Sequence, residues 1–360
     1  MRIVFHAFEG RFSDSTRALH AALLERDEGH QHVWLADPAH AGTFPADVAI
    51  LPWGSPEARR ALESADLVVA NSHTDTEWVK APETVYLQTW HGTPLKRIHW
   101  DVLWAPEGRL ERLQGDVDRW DLLVSPSAAA TPLLRRAFRY EGEILETGYP
   151  RNDVLSSPDA PAVRARVRRE LEIPDGKRAV LYTPTWRDDA VFEGGDGASA
   201  LALDLERFAS ELGDDAVLLL RLHYFVTGAL GPIDIPGVVD VSMHPDISEL
   251  YLAADAMVTD YSSTMFDFAI TGKPMVFYVY DLEEYAGRVR GFYFELEPIA
   301  PGPLVRTQEE LVAALHDLDG SRERWAGRYA AFQQRFCALE DGGATGRVLD
   351  AVLERLGERP

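Results

Sequence analysis

Short apolar runs of strand length alternate with amphipathic stretches of helical period along the whole chain. Arg2–Phe8 is the first run. Ser13 then caps a stretch reaching Leu24, in which Ala18, Leu19, Ala22 and Leu23 fall at helical spacing. His32–Ala36, Val48–Leu51, Leu67–Ala70 and Val85–Gln88 predict buried strands, followed by Leu122–Ser125 and Ile144–Glu146. Strands separated by helical stretches argue for a parallel sheet with helices on both faces.

The pattern breaks at Ser156–Pro161, where Ser-Ser-Pro-Asp-Ala-Pro has the composition of a linker. Ala162–Leu171 then predicts a helix and Pro174–Gly176 a turn. A second strand series follows at Ala179–Thr183, Val217–Leu222, Val238–Val241, Ala256–Thr259 and Met275–Val279. Helices are expected at Leu203–Leu212, Ile247–Ala254, Ser263–Ile270, Glu309–Leu318, Arg322–Phe336 and Gly343–Leu356. The chain reads as an α/β protein of two doubly wound domains, 1–155 and 156–335, with a helical segment 336–360 able to pack back on the first. In two facing domains of this kind, ligands bind between the carboxyl ends of the strands.

Composition then excludes several functions. The 360 residues carry 58 acidic and 36 basic side chains, a formal net charge of −22. That charge repels nucleic acid and disfavours electrostatic docking on anionic lipid. One cysteine, Cys337, excludes a disulfide framework and a Cys-based zinc site, and it fits a reducing cytoplasm. No signal-type apolar region precedes Asp14. The most apolar stretch, Ala216–Leu230, contains Arg221 and His223 and is too short to span a membrane. The P-loop, the GxGxxG fingerprint, the GxSxG elbow and HExxH are all missing, and the 11 His are scattered. Phosphate would therefore be handled by Arg, His and backbone groups, with no metal and no cofactor expected.

Five segments at strand ends carry candidate chemistry. In Gln88–Lys96 (Gln-Thr-Trp-His-Gly-Thr-Pro-Leu-Lys), His91 beside Gly92 places an imidazole where a ligand approaches the backbone closely. In Gly148–Asp153, Arg151 either forks onto a phosphate or pairs with Asp153. Tyr182–Arg187 brings Pro184, Thr185 and free backbone groups to a strand end, where they suit a base edge or a phosphate, although composition alone favours an ordinary turn. Period-2 alternation puts Arg221 and His223, which flank Leu222, on one side of an apolar strand, where two cations need an anion such as a diphosphate or paired carboxylates. At Asp260–Asp267 a hydroxyl-rich turn with Ser262 and Ser263 opens a helix whose N–H groups suit phosphate, and Asp267 could accept from a ligand hydroxyl. One capping hydroxyl would suffice for a helix start; three in a row exceed it.

Taken together these strings resemble the CDP-glycerol glycerophosphotransferases of teichoic acid synthesis, in order and with family-like spacing over about residues 5–300. Phe8–Leu19 and Thr271–Tyr285 are similar as well. The resemblance implies a GT-B fold of two Rossmann-like domains, acceptor-side first and donor-binding second. It implies transfer of glycerol phosphate from CDP-glycerol to a hydroxyl on a polymer or lipid-linked acceptor, releasing CMP. Carried over by motif, Trp90, His91, Gly92, Thr93 and Pro94 would line the site from the first domain, and Arg151, Pro184, Thr185, Arg221, Leu222, His223, Ser262, Ser263 and Asp267 would complete it. His91 would be the base, with His223, Arg221 and Arg151 neutralising the diphosphate. Sister enzymes that use CDP-ribitol share these motifs. A GT-B glycosyltransferase taking a nucleotide sugar and a non-catalytic binding module are the competing readings. The family works at the inner face of the membrane, so a basic patch at Arg109–Arg119 or Arg135–Arg139 would serve peripheral contact. Polymerising members usually carry further N-terminal sequence.

Overall fold

The computed structural model describes residues 1–26, 29–185, 201–222, 233–289 and 291–357. The chain divides into two compact units. The first takes Met1–Thr93, Ile98–Ser156 and the chain from Ala338 onward; the second takes Pro94–Arg97 and Ser157–Cys337.

The first unit is built on β1 (Arg2–His6), β2 (Gln31–Ala36), β3 (Ile50–Pro52), β4 (Leu67–Ala70), β5 (Val85–Gln88), β6 (Leu122–Ser125) and β7 (Glu143–Glu146). They form a parallel sheet in the order β3-β2-β1-β4-β5-β6-β7. Period-2 alternation sorts the core. Ile3, Phe5, Leu67, Val69, Val85 and Leu87 face one side with Leu19 and Leu23 of the helix Asp14–Glu25. Val4, Val68, Tyr86 and Leu123 face the other, against Leu62, Leu134 and Phe138 of the helices Pro56–Glu63 and Thr131–Phe138. The helix Ala344–Gly357 completes the first face with Val348, Leu349 and Val352. At about 1.5–3 kcal/mol per buried side chain, these three residues help explain why the end of the chain returns to the first sheet.

The second unit repeats the plan with β8 (Arg178–Thr183), β9 (Ala216–Leu220), β10 (Val238–Asp240), β11 (Ala256–Thr259), β12 (Met275–Tyr278) and β13 (Leu304–Val305). The order is β10-β9-β8-β11-β12-β13, all parallel. Val180, Tyr182, Leu218, Leu220, Val258 and Val276 pack on Phe208 and Leu212 of Leu205–Leu212 and on Leu311 and Leu315 of Gln308–His316. Pro94–Arg97 joins this unit through an antiparallel bridge from Lys96 to Phe292, flanked by Arg97 N–H donating to the Gly291 carbonyl and Tyr293 N–H to that of Leu95.

Three expectations change in detail. The segment Ser156–Pro161 contains the start of a helix, Ala160–Glu170, because Pro161 sits in the first turn, where its missing N–H is harmless. The strand expected to Leu222 ends at Leu220, so alternation does not fix where Arg221 points. The helix expected from Arg322 begins one turn earlier, at Leu318.

Candidate active site

In both sheets the strand order reverses once, between β1 and β4 and between β8 and β11. Loops leaving the strand ends on either side of such a reversal diverge to opposite faces and open a crevice. The candidate residues gather at these two places.

In the first unit His91 follows β5, and its Nδ1–H donates to the carbonyl of Asn71, which follows β4, at 2.6 Å. With that nitrogen protonated, Nε2 carries the lone pair. The ring stacks on Trp90 (centroids 4.0 Å apart, 29° between planes) and leans on Phe8 from the loop after β1 at 5.2 Å. Burial pushes the imidazole down to about 4; the Asn71 carbonyl and Asp14 oppose the shift, and Arg151 and His73 add to it. His91 is therefore neutral throughout the physiological range.

The backbone around it is strained. Trp90 has φ 54°, Phe8 35°, Glu9 45° and Asp14 65°, left-handed values that cost about 1–2 kcal/mol each for L-residues. Strain of this kind concentrates at functional sites. Gly10 (φ +93°) closes the loop after β1 against the next strand end, where a Cβ would lie 2.0 Å from the Asp37 nitrogen. Gly92 and Thr93 are buried beside the histidine. Pro94 begins the segment that belongs to the second unit.

Arg151 is almost wholly buried, and its Nη1 donates to both oxygens of Asp14 at 3.2 Å. Its guanidinium lies 4.3 Å over the Tyr149 ring. Asp153 is not the partner of Arg151 that the sequence left open. Its oxygens accept from the Ala344 and Thr345 N–H groups and cap the helix Ala344–Gly357. Arg151 thus arrives already paired, with a carboxylate from the start of the helix Asp14–Glu25.

Behind Trp90 lies a cluster that the sequence pattern did not single out. Asp116, 3% exposed, accepts from Thr74 Oγ1 (2.9 Å), Arg119 Nη2 (3.0 Å), and His73 Nδ1, Tyr86 OH and Trp120 Nε1 (each 3.2 Å). Burial pushes its carboxyl up, but His73, Arg119 and Thr74 outweigh that and hold it below the usual carboxylate range. His73 stacks on Trp120 and His99. On a helix, one acid among polar neighbours reads as solvated surface, so no spacing marked it. Asn71 was nearer to hand, since it directly follows the expected strand Leu67–Ala70.

In the second unit Pro184 and Thr185 follow β8, and the Thr185 N–H donates to both oxygens of Asp260, which follows β11. Ser262 and Ser263 are half-buried. Ser263 occupies the N-cap of the helix Thr264–Ala269 without making a side-chain cap, so its hydroxyl is not consumed there. That helix has only six residues, too short for the strong dipole expected of it. Asp267 is buried within it, 6% exposed. Arg221, one residue past β9, donates through Nη1 to the carbonyls of Val241 (3.0 Å) and His244 (2.8 Å). The buried Leu222 donates its N–H to Ser242 Oγ. His223 lies outside the described residues. The structure thus groups Trp90, His91, Gly92, Thr93 and Arg151 in one unit, and Pro184, Thr185, Arg221, Leu222, Ser262, Ser263 and Asp267 in the other. Among the described residues no group of His, Cys, Asp and Glu could hold a metal ion.

Comparison with known proteins shows the family. A profile described as CDP-glycerol:poly(glycerophosphate) glycerophosphotransferase matches residues 1–354. The chain is 37% identical to the teichoic acid glycerol-phosphate transferase of Staphylococcus aureus, covering 98% of this chain and 92% of that one. It is 34% identical to the teichoic acid poly(glycerol phosphate) polymerase of Bacillus subtilis and spans about half its length, 48%. Among solved structures, the wall teichoic acid polymerase TagF superposes with a TM-score of 0.89 at 34% identity, over 99% of this chain and 89% of that one.

Proposed function

The chain belongs to the CDP-glycerol:poly(glycerophosphate) glycerophosphotransferase family, and from that premise we propose how its residues divide the work. It is an enzyme of GT-B type in teichoic acid synthesis, transferring glycerol phosphate from CDP-glycerol to a hydroxyl and releasing CMP.

His91 is the general base. The observation that carries this role is its hydrogen bond to the Asn71 carbonyl, which fixes the tautomer and leaves the lone pair on Nε2. The acceptor hydroxyl gives its proton to Nε2 as its oxygen bonds to the glycerol-bearing phosphorus. The bond from that phosphorus to the bridging oxygen breaks, and CMP leaves with the electron pair. Negative charge grows on the leaving phosphate, so fixed donors there lower the barrier. Arg221, His223 and the hydroxyls of Ser262 and Ser263 supply them, and Pro184–Thr185 receives the cytosine. Asp267 holds a hydroxyl of the ribose or glycerol. Arg151 acts through its pair with Asp14, as part of the charged surroundings of His91. The acceptor is a poly(glycerol phosphate) chain or its lipid-linked primer.

No helix among the described residues is long and apolar enough to cross a membrane. Contact with the inner face of the membrane would fall to the exposed Leu103 and Trp104, 49% and 80% exposed, which precede the exposed Arg109 and Arg112 in the chain.

The test is CMP release from CDP-glycerol, with CDP-ribitol and UDP-sugars offered alongside. Wild-type protein should turn over CDP-glycerol and tolerate EDTA. His91→Ala should lose roughly 10²–10⁴-fold in kcat while circular dichroism shows the fold intact. Near-normal turnover by that variant would remove His91 as the base, and preference for another donor would overturn the substrate.

A further inference from the structure

Strands β8 and β11 pair from Val180↔Ala256 to Thr183↔Thr259, and a carboxylate fastens them at each end. Just before β11, Asp255 accepts from the Ala179 N–H at 2.8 Å and pairs with Arg164 and Arg168. Just after β11, Asp260 accepts from the Thr185 N–H with both oxygens, at 2.9 and 3.0 Å, and from the Tyr261 N–H through Oδ1. Asp260 is 2% exposed. Beside it the hydroxyls of Thr183, Thr259 and Thr264 bond to one another. The two fasteners share their chemistry but not their neighbours. Asp255 sits at the amino end of the strands. Asp260 sits at the carboxyl end, at the reversal of strand order, between Pro184–Thr185 and Ser262–Ser263.

We propose that Asp260 is a positioning residue for the donor: its carboxylate sets the spacing between the turn that receives the nucleobase and the turn that receives the diphosphate. The inference rests on the assignment of those two turns above. Backbone segments 75 residues apart are tied by one buried side chain, so a change at that side chain moves one turn relative to the other. Asparagine has the same shape but one acceptor oxygen, and its NH₂ would face a backbone donor. The oxygens of Asp260 accept from backbone N–H groups of the two turns, so its effect falls on binding of the donor more than on the chemical step.

The experiment compares full-length wild type, Asp260→Asn, Asp260→Ser and Asp255→Asn. CDP-glycerol kinetics, CMP affinity by calorimetry and thermal melting are read for each. Asp260→Asn should raise both the KM for CDP-glycerol and the Kd for CMP about tenfold, as expected for a hydrogen bond to a charged group, with kcat within about threefold of wild type on the same grounds. Asp260→Ser, which keeps one acceptor on a shorter side chain, should shift them further in the same direction. Asp255→Asn should melt earlier with its KM unchanged. If both Asp260 variants melt earlier yet bind CMP and CDP-glycerol like wild type, Asp260 is a structural fastener and the proposal falls. If wild type itself binds no CMP, it is the donor assignment that fails.

Discussion

Replacing Asp116 by alanine should be among the most damaging changes in the first unit. The carboxylate serves five donors, and three of their residues are sealed from water: Thr74 at 0%, Tyr86 at 0% and Trp120 at 5% exposure. Alanine leaves these donors unpaired and takes the carboxylate from the Arg119 guanidinium, which lies 3.0 Å from the lost oxygen. Each orphaned buried donor costs about 1–3 kcal/mol. Breaking one partner out of a buried charged network typically costs about 3–5 kcal/mol in total, which sets the ceiling. A loss of about 4 kcal/mol corresponds to roughly 8–16 °C in melting temperature for a unit of this size. Asp116→Asn keeps one acceptor and should lose about half as much. Urea unfolding followed by tryptophan fluorescence reads this directly, since Trp78 and Trp120 both belong to the network. A loss below about 1 kcal/mol for the alanine variant would refute the reasoning, because it would mean that water satisfies the donors.

The remaining expectations concern protons and charge. Burial pushes His6, His20, His91 and His99 down to about 4 in the folded chain. The unfolded chain binds their protons near pH 6.5, so between those values it holds more protons than the folded one. Their contribution is complete above pH 6.5 and is lost as the pH falls toward 4, by up to about 1.4 kcal/mol per pH unit for each group. Proton uptake of less than one per molecule on unfolding at pH 5.5 would contradict this. Asp14→Asn leaves the buried Arg151 without its carboxylate and should cost about 3 kcal/mol. Adding Arg151→Met should restore much of that loss; a double variant no more stable than the single one would show that the pair is not coupled.

The two series of strands and the residues at their ends could be read from the sequence because period and position suffice for them. Partners were a different matter. Arg151 finds Asp14, 137 positions away, while the nearer Asp153 caps a helix that starts at Ala344. Only the fold brings such distant groups together, and no spacing encodes it. Trp90 was legible as a motif residue, but its left-handed backbone was not, since nothing in its side chain favours that conformation. The helices Pro56–Glu63, Arg109–Val117 and Thr131–Phe138 escaped the apolar pattern because each is short, and the first two are rich in charge. Arg221 was placed by alternation that stops one residue before it.

The helix Ala344–Gly357 has a consequence for the order of assembly during synthesis. A nascent chain makes β1 to β7 first, yet the apolar face under Val348, Leu349 and Val352 stays uncovered until residues 344–357 leave the ribosome. At roughly 5–20 residues per second, the intervening 187 positions from Ser157 to Gly343 take on the order of ten seconds or more. The second unit is contained in what has by then emerged and can close before the first. The segment made earliest is therefore completed late, and the fold around His91 waits on a helix synthesised long after it.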